Sequence, residues 1–246
     1  MYASNYEVNA MKRLPGCALI LITLGLVFSQ SSFAQEKPQY DMGKMHVVFL
    51  TPEPAWKPKN GGHKKQLARE HRDYLDNLIV SGKCSLAGPA KGKGPIREIL
   101  VFKVESTEEV MELTKSFPAV KAGMMKAEVL PWYAARNVIM KPSIPIEYTG
   151  YVFGILVRGS KWTPEKTPET EKIQEGHMAN INRLAEAGKL VLAGPFYGDT
   201  DRRGVFIFKV NSLKEAQTLT NTDPAVKAGR LRIELYQWSV PKGVLK

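Results

Sequence analysis

Cysteine is almost absent from this 246-residue chain, which holds two. Cys17 falls in an N-terminal segment that reads as a leader, so Cys84 stands alone, no intramolecular disulfide forms, and the fold must hold by packing. Histidine is nearly as scarce: His46, His63, His71 and His177 are the whole complement. Without a cysteine pair these do not make a closed zinc site. Long apolar runs are missing too. Ala18 to Phe28 is short for a bilayer span; it follows Met11-Lys12-Arg13 and leads to Ser32-Phe33-Ala34 and Gln35, the layout of a secretory signal cleaved near Ala34, with Met1 or Met11 as the start. Cys17 precedes the apolar run instead of following it, which argues against lipidation. No phosphate-binding loop, dinucleotide glycine fingerprint or Gly-x-Ser-x-Gly elbow occurs.

What remains is a globular composition, 43% hydrophobic and 24% charged, with 35 basic against 24 acidic side chains and a formal charge of +11. The leader predicts a periplasmic or secreted protein. An exported basic chain meets anionic lipid, polysaccharide or small acids before nucleic acid, so the expected partner is a small-molecule ligand, anionic in character. Nucleic acid binding and stable membrane insertion after signal removal are not expected, and association into a homo-oligomer is left open. The lysines at 57, 59, 64 and 65 read as a solvated loop.

An internal repeat organises the chain. At an offset of 106, residues 45–134 align without a gap on 151–240, and close to three in ten paired positions are identical. Trp56 matches Trp162, His71 matches His177, and Leu86-Ala87-Gly88-Pro89 matches Leu192-Ala193-Gly194-Pro195. Pro118 to Gly123 matches Pro224 to Gly229, and Trp132 matches Trp238. The expected organisation is a signal peptide at 1–34, a tail at 35–44, module 1 at 45–134, a linker at 135–150 with Pro142 and Pro145, module 2 at 151–240 and a tail at 241–246.

Within module 2, Tyr151 to Val157 is strand-like, and a polar stretch with Pro164 and Pro168 leads into a helix that ends near Gly188. On it His177, Ile181 and Leu184 share one face. Leu190 to Ala193 and Gly204 to Val210 read as strands. Ser212 with Glu215, like Ser106 with Glu109, has capping-box spacing and starts a second helix. Leu231 to Trp238 closes the module as a strand. The order β-α-β-β-α-β predicts an α+β fold of two ferredoxin-like modules, each with both helices on one sheet face, packed sheet against sheet.

His177 on an apolar face reads either as a satisfied core histidine or as a base. The residues after the second helix should return toward the first, bringing Asp223 near His177; a carboxylate beside imidazole orients the ring and raises its basicity. Asp before Pro is also ordinary turn chemistry, and both readings stand. In module 1 His71 is retained but the Asp position is Phe117, which predicts an incomplete site and a vestigial or secondary His71. Arg203, which recurs as Arg97, is either an anion anchor or a solvated hairpin arginine, and Trp162 either walls a cleft or caps the core. Cys84, aligned with Leu190 on a strand, reads as a buried thiol. A haem or metal carrier would use His177 as axial ligand, but no second ligand is evident and no cofactor is expected.

The pattern His177, Gly188 to Leu190, Leu192 to Phe196, Ser212 with Glu215-Ala216, Asp223 to Gly229 and Trp238 resembles the YCII-related family. The resemblance covers both copies. It implies a dimeric α+β barrel built within one chain, with His177 and Asp223 as a catalytic dyad in a small cleft, His71 as its counterpart, and Phe196 beside the substrate. It also sets the chain beside fold relatives that isomerise or eliminate on small aromatic or lactone acids. The expectation is an exported small-molecule enzyme of isomerase or lyase type that moves protons; the alternative is a non-catalytic ligand-binding or assembly module in which the His/Asp pair is structural.

Overall fold

The computed structural model describes residues 39–245, and the expected signal peptide with Cys17 lies outside them. The first copy runs β1 (Met42–Pro52), α1 (His63–Val80), β2 (Leu86–Gly92), β3 (Glu98–Phe102), α2 (Thr107–Lys115), α3 (Pro118–Lys121) and β4 (Met125–Ala135). After a 3-10 turn at Arg136–Val138 the second runs β5 (Tyr148–Arg158), α4 (Pro168–Glu186), β6 (Leu190–Pro195), β7 (Arg202–Phe208), α5 (Leu213–Thr220), α6 (Pro224–Lys227) and β8 (Leu231–Pro241). The expected β-α-β-β-α-β order is present twice, with one addition. The Pro-Ala-Val-Lys segment of each copy makes a one-turn helix, its proline in the first turn where a missing N–H costs nothing.

Helix starts follow local chemistry. The Ser106 and Ser212 hydroxyls accept from the backbone N–H of Glu109 and Glu215, each at 3.1 Å. Thr167 caps α4 through a reciprocal box with Thr170, ahead of Pro168, Glu169 and Glu171.

All eight strands form one antiparallel sheet in the order β4-β1-β3-β2-β8-β5-β7-β6. Each module therefore keeps the ferredoxin-like order, and two seams join them. At the first, β2 pairs with β8 through Ala90 with Trp238, Lys91 with Gln237 and Gly92 with Tyr236. At the second, β4 and β6 meet through a bridge between Trp132 and Phe196, and the Tyr197 N–H donates to Pro131 O at 2.9 Å. The indole N–H groups cross between modules: Trp132 donates to Gly194 O at 3.0 Å and Trp238 to Ile99 O at 3.1 Å. The repeated Leu-Ala-Gly-Pro motif has its reason here. A Cβ on Gly88 would lie 1.6 Å from Ser239 O, and one on Gly194 2.0 Å from Tyr133 O, so only glycine lets the seam strands close.

The sheet thus curls into a barrel with the helices outside. Its interior is shared by both copies, where Met45, Val47, Phe49 and Trp132 pack with Phe153, Ile155, Tyr236 and Trp238. Phe49 meets Phe153 edge-on at 6.1 Å. Separate outer cores lie under the helices of each module, around Val48, Leu50, Leu75, Leu100 and Phe117 in one and Val152, Leu156, Leu184, Phe206 and Phe208 in the other. Strands covered on both faces explain why β1 and β5 are apolar runs instead of alternating.

The flanking segments are more ordered than their composition suggests. Strand β1 begins inside the expected 35–44 tail, and the expected linker shrinks because β4 holds to Ala135 and β5 starts at Tyr148. Near the C terminus Val244 and Leu245 are buried, and Leu245 bridges to Ile139.

Candidate active site

His177 lies midway along α4 on the face that meets the sheet, and it is 8% exposed. Just before it, Gly176 lets α6 come close: a Cβ there would lie 2.9 Å from Pro224 Cγ. That approach carries Asp223, the N-cap of α6, against the imidazole. His177 Nδ1 and Asp223 Oδ2 are 2.7 Å apart, and Asp223 Oδ1 accepts from the Ala225 N–H at 2.8 Å. The carboxylate is fully buried, with both oxygens committed to donors. A carboxylate accepts, so Nδ1 is the nitrogen that donates, and in the neutral ring Nε2 is the one with the lone pair. The ring is further held by stacking on Phe206, with centroids 5.9 Å apart and planes 16° from parallel.

His177 lines a cleft of about 820 Å³ between α4, the loop before it and the outer sheet face. With Nδ1 engaged, Nε2 is the nitrogen left to meet that space. Phe206, Pro195, Ile181 and Leu231 supply apolar wall, and Gly204 leaves the floor open. Charge of both signs lines the cleft, Arg203 and Arg230 against Glu165, Glu171 and Glu175. The Arg230 guanidinium is spent on the Thr163 hydroxyl and carbonyl, at 3.0 and 2.8 Å. Arg203 makes a 3.4 Å bond to Thr200 O and a 4.0 Å ion pair with the exposed Asp199, with its guanidinium 5.5 Å from the Trp162 ring. Trp162 itself lies under Arg158 at 3.9 Å.

The structure therefore brings His177 and Asp223 into contact and places Arg203 and Trp162 on the wall of the cleft that His177 lines. Phe196 is not on that wall. It is 6% exposed inside the barrel, edge-on to Phe49 at 6.2 Å and bridged to Trp132 at the second seam, on the opposite sheet face from the cleft. The pleat at the end of β6 turns it inward, so its role is closure.

Module 1 also differs from a merely incomplete copy. His71 Nε2 lies 2.8 Å from Glu98 Oε2, Arg72 Nη2 donates to Glu98 Oε1 at 2.6 Å, and Glu98 is 3% exposed. Phe117 stands where Asp223 stands in module 2, its ring 6.0 Å from that of His71, and His71 Nδ1 is buried without a partner. The carboxylate has moved from the helix side of the imidazole to the sheet side. Glu98 was legible as the one charged residue in an apolar strand, Glu-Ile-Leu-Val-Phe, aligned on Gly204 of the other copy.

Elsewhere, Cys84 is buried and burial pushes its thiol well above the ordinary range, so it is no nucleophile. The lysines at 57, 59, 64 and 65 are exposed. Among the described residues no cluster of three or more His, Cys, Asp or Glu side chains could hold a metal ion, and no helix is long and apolar enough to cross a membrane.

Comparison with known proteins follows the same outline. The YCII-related domain profile matches residues 45–133 and again 156–239. The Bacillus subtilis (strain 168) protein YjpA is 30% identical over 80 residues, covering 31% of this chain and 92% of YjpA. Among solved structures, a variant chlorite dismutase from Candidatus Nitrospira defluvii superposes with a TM-score of 0.53 at 10% identity, over 82% of this chain and 92% of that one. A heme-binding protein from Thermus thermophilus superposes with a TM-score of 0.51 at 10% identity, over 82% and 93%. At such identity these two likenesses establish the α+β barrel fold alone. The two profile matches and the relative spanned nearly end to end establish the family: this chain belongs to the YCII-related domain family and carries the domain twice.

Proposed function

We propose that the module 2 cleft is the active site of an exported small-molecule enzyme that moves protons, with His177 as the base. The observation that carries this reading is the polarity of the dyad. Asp223, fixed at both oxygens, holds the Nδ1 proton, so the nitrogen on the cleft is the one able to accept. In the proposed step Nε2 takes a proton from a carbon beside a substrate carbonyl, and the C–H electron pair moves into the carbonyl to give an enolate. Asp223 stabilises the imidazolium, and Arg203 faces the negative oxygen. The proton then returns to another carbon, an isomerisation, or the enolate pair forms a carbon–carbon double bond as a leaving group departs with the electrons of its own bond, an elimination.

The test needs no prior substrate. In heavy water, wash-in of deuterium at C–H positions of a panel of lactones, keto acids and aromatic acids is followed by NMR. The expected result is exchange catalysed by the mature protein and lost in His177→Gln; exchange equal in both proteins would reject the base.

One observation favours the non-catalytic alternative. Asp223 also caps α6, so the pair has a structural task whatever else it does. In a second reading the same Nε2 would hold a haem iron, for which a carboxylate on Nδ1 is a suitable partner. His177 would then hold the group in the cleft lined by Phe206 and Pro195, and it would supply redox chemistry. A Soret band that appears with haem in wild type and not in His177→Ala would establish it; unchanged haem absorbance would remove it.

A further inference from the structure

Register as well as repeat offset puts Glu98 and Gly204 at one position in their modules. Glu98 pairs with Leu50 and Pro89, and Gly204 with Leu156 and Pro195, all at the same offset. Both face the helices, sharing their side of the sheet with Leu100 in one copy and Phe206 in the other. In module 1 that position sends a carboxylate to the Nε2 of the helix histidine. In module 2 it has no side chain, and the same nitrogen opens on the cleft.

We infer that Glu98 is a built-in occupant of the module 1 site, and that the ligand of the module 2 cleft is a small carboxylic acid whose proton passes to His177 Nε2, the imidazolium then donating to Asp223 from Nδ1 and to the bound carboxylate from Nε2. The inference rests on reading the cleft as a small-molecule site. The Glu98 side chain is a template for such a ligand, with one oxygen on imidazole, the other on a guanidinium and two methylenes lying between sheet and helix. The cation of module 1 is Arg72, whose counterpart is Met178. Module 2 offers Arg203 from the start of β7 instead, held only by a 3.4 Å bond to Thr200 O and a 4.0 Å ion pair with the exposed Asp199. The exchange is concerted. Module 1 gained a carboxylate at Nε2 and lost the one at Nδ1, so each histidine retains one internal acid, and only His177 retains room for a second, external one. A carboxylate takes the very nitrogen a carbon-directed base needs, so a simple one is a competitor of the proton-transfer reaction.

The probe is sodium propionate, the length of the Glu98 side chain, with propionamide as neutral isostere. Added to the mature protein at constant ionic strength, propionate is expected to shift the His177 ring resonances saturably and propionamide to leave them in place. Gly204→Glu is expected to weaken that response about tenfold or more, the scale of one charge-assisted hydrogen bond. A Cβ at Gly204 lies 2.7 Å from Gly194 O, so that variant could misfold, and Glu98→Ala gives an independent measure. Its melting temperature should fall and be restored by propionate but not by propionamide. Equal responses to acid and amide, or a folded Glu98→Ala protein indifferent to propionate, would overturn the inference. Propionate binding without any deuterium exchange would leave it standing while removing the enzymatic reading; exchange without propionate binding would do the reverse.

Discussion

Replacing Asp223 separates a bonded dyad from two residues that merely lie close. Asp223→Ala strips a fully buried carboxylate that accepts from His177 Nδ1 at 2.7 Å and from the Ala225 N–H at 2.8 Å. Loss of an N-cap costs about 1 kcal/mol, and loss of a hydrogen bond to a charged group about 2 kcal/mol. The expected destabilisation is therefore about 3 kcal/mol, which a domain of ordinary stability survives. Asp223→Asn is the sharper variant. An amide can present its oxygen to only one of the two donors, and the cheapest arrangement keeps it on Ala225 and turns the NH2 group toward His177. Nδ1 must then accept, and the ring proton moves to Nε2. The stability loss should be about 1 kcal/mol, yet the cleft nitrogen becomes a donor and proton abstraction should fall about 100-fold or more. Urea unfolding gives the two stability losses, and long-range nitrogen–proton NMR correlations show which ring nitrogen of His177 carries the proton. An Asn variant that keeps its proton on Nδ1, or an Ala variant within about 0.5 kcal/mol of wild type, would refute the bonded geometry.

Two further outcomes test the barrel and its outer layer. Trp132→Phe removes the indole bond to Gly194 O at the second seam and should cost about 2 kcal/mol in urea unfolding; an unchanged midpoint would mean the seam does not close in solution. His46 is buried on β1, its Nδ1–H donating to Val104 O and its Nε2 accepting from the Thr107 hydroxyl, and burial lowers its pKa against the opposing effect of the carbonyl. The unfolded chain therefore takes up a proton near pH 6.5 that the folded chain refuses until lower pH, so stability should fall as pH drops below about 6.5. His46→Val, the residue of the other copy at that position, should lose less stability than wild type between about pH 7.5 and about pH 5; equal losses would contradict the buried neutral imidazole.

The repeat made most of this fold readable, because a weak strand or helix pattern seen twice at one spacing is constrained twice. Proximity of Asp223 to His177 followed from topology: the chain leaving the second helix must return beside the first. Phe196 was misread because the face a residue takes at a strand end depends on its partner across the seam, and β4 lies far away in sequence. The Glu98 exchange escaped for a related reason. Each module by itself shows a histidine with or without an acid, and only superposing the copies reveals that one acid left as another arrived. The order in the linker and the C-terminal tail comes from burial of Ile139, Val244 and Leu245 against the barrel, which no local propensity encodes.

The interior core drawn from both copies has an evolutionary consequence. In an assembly of identical chains every substitution is made in each subunit, so two equivalent sites change together. Covalent joining removes that constraint: Glu98 and Phe117 could arise in one half while Gly204 and Asp223 persist in the other. Separation of the halves is nevertheless barred, since Met45, Phe49 and Trp132 of one complete the hydrophobic interior of its partner. The half in which Glu98 lies against His71 cannot be discarded; its side chains complete the interior behind the sheet on which the His177 cleft is built.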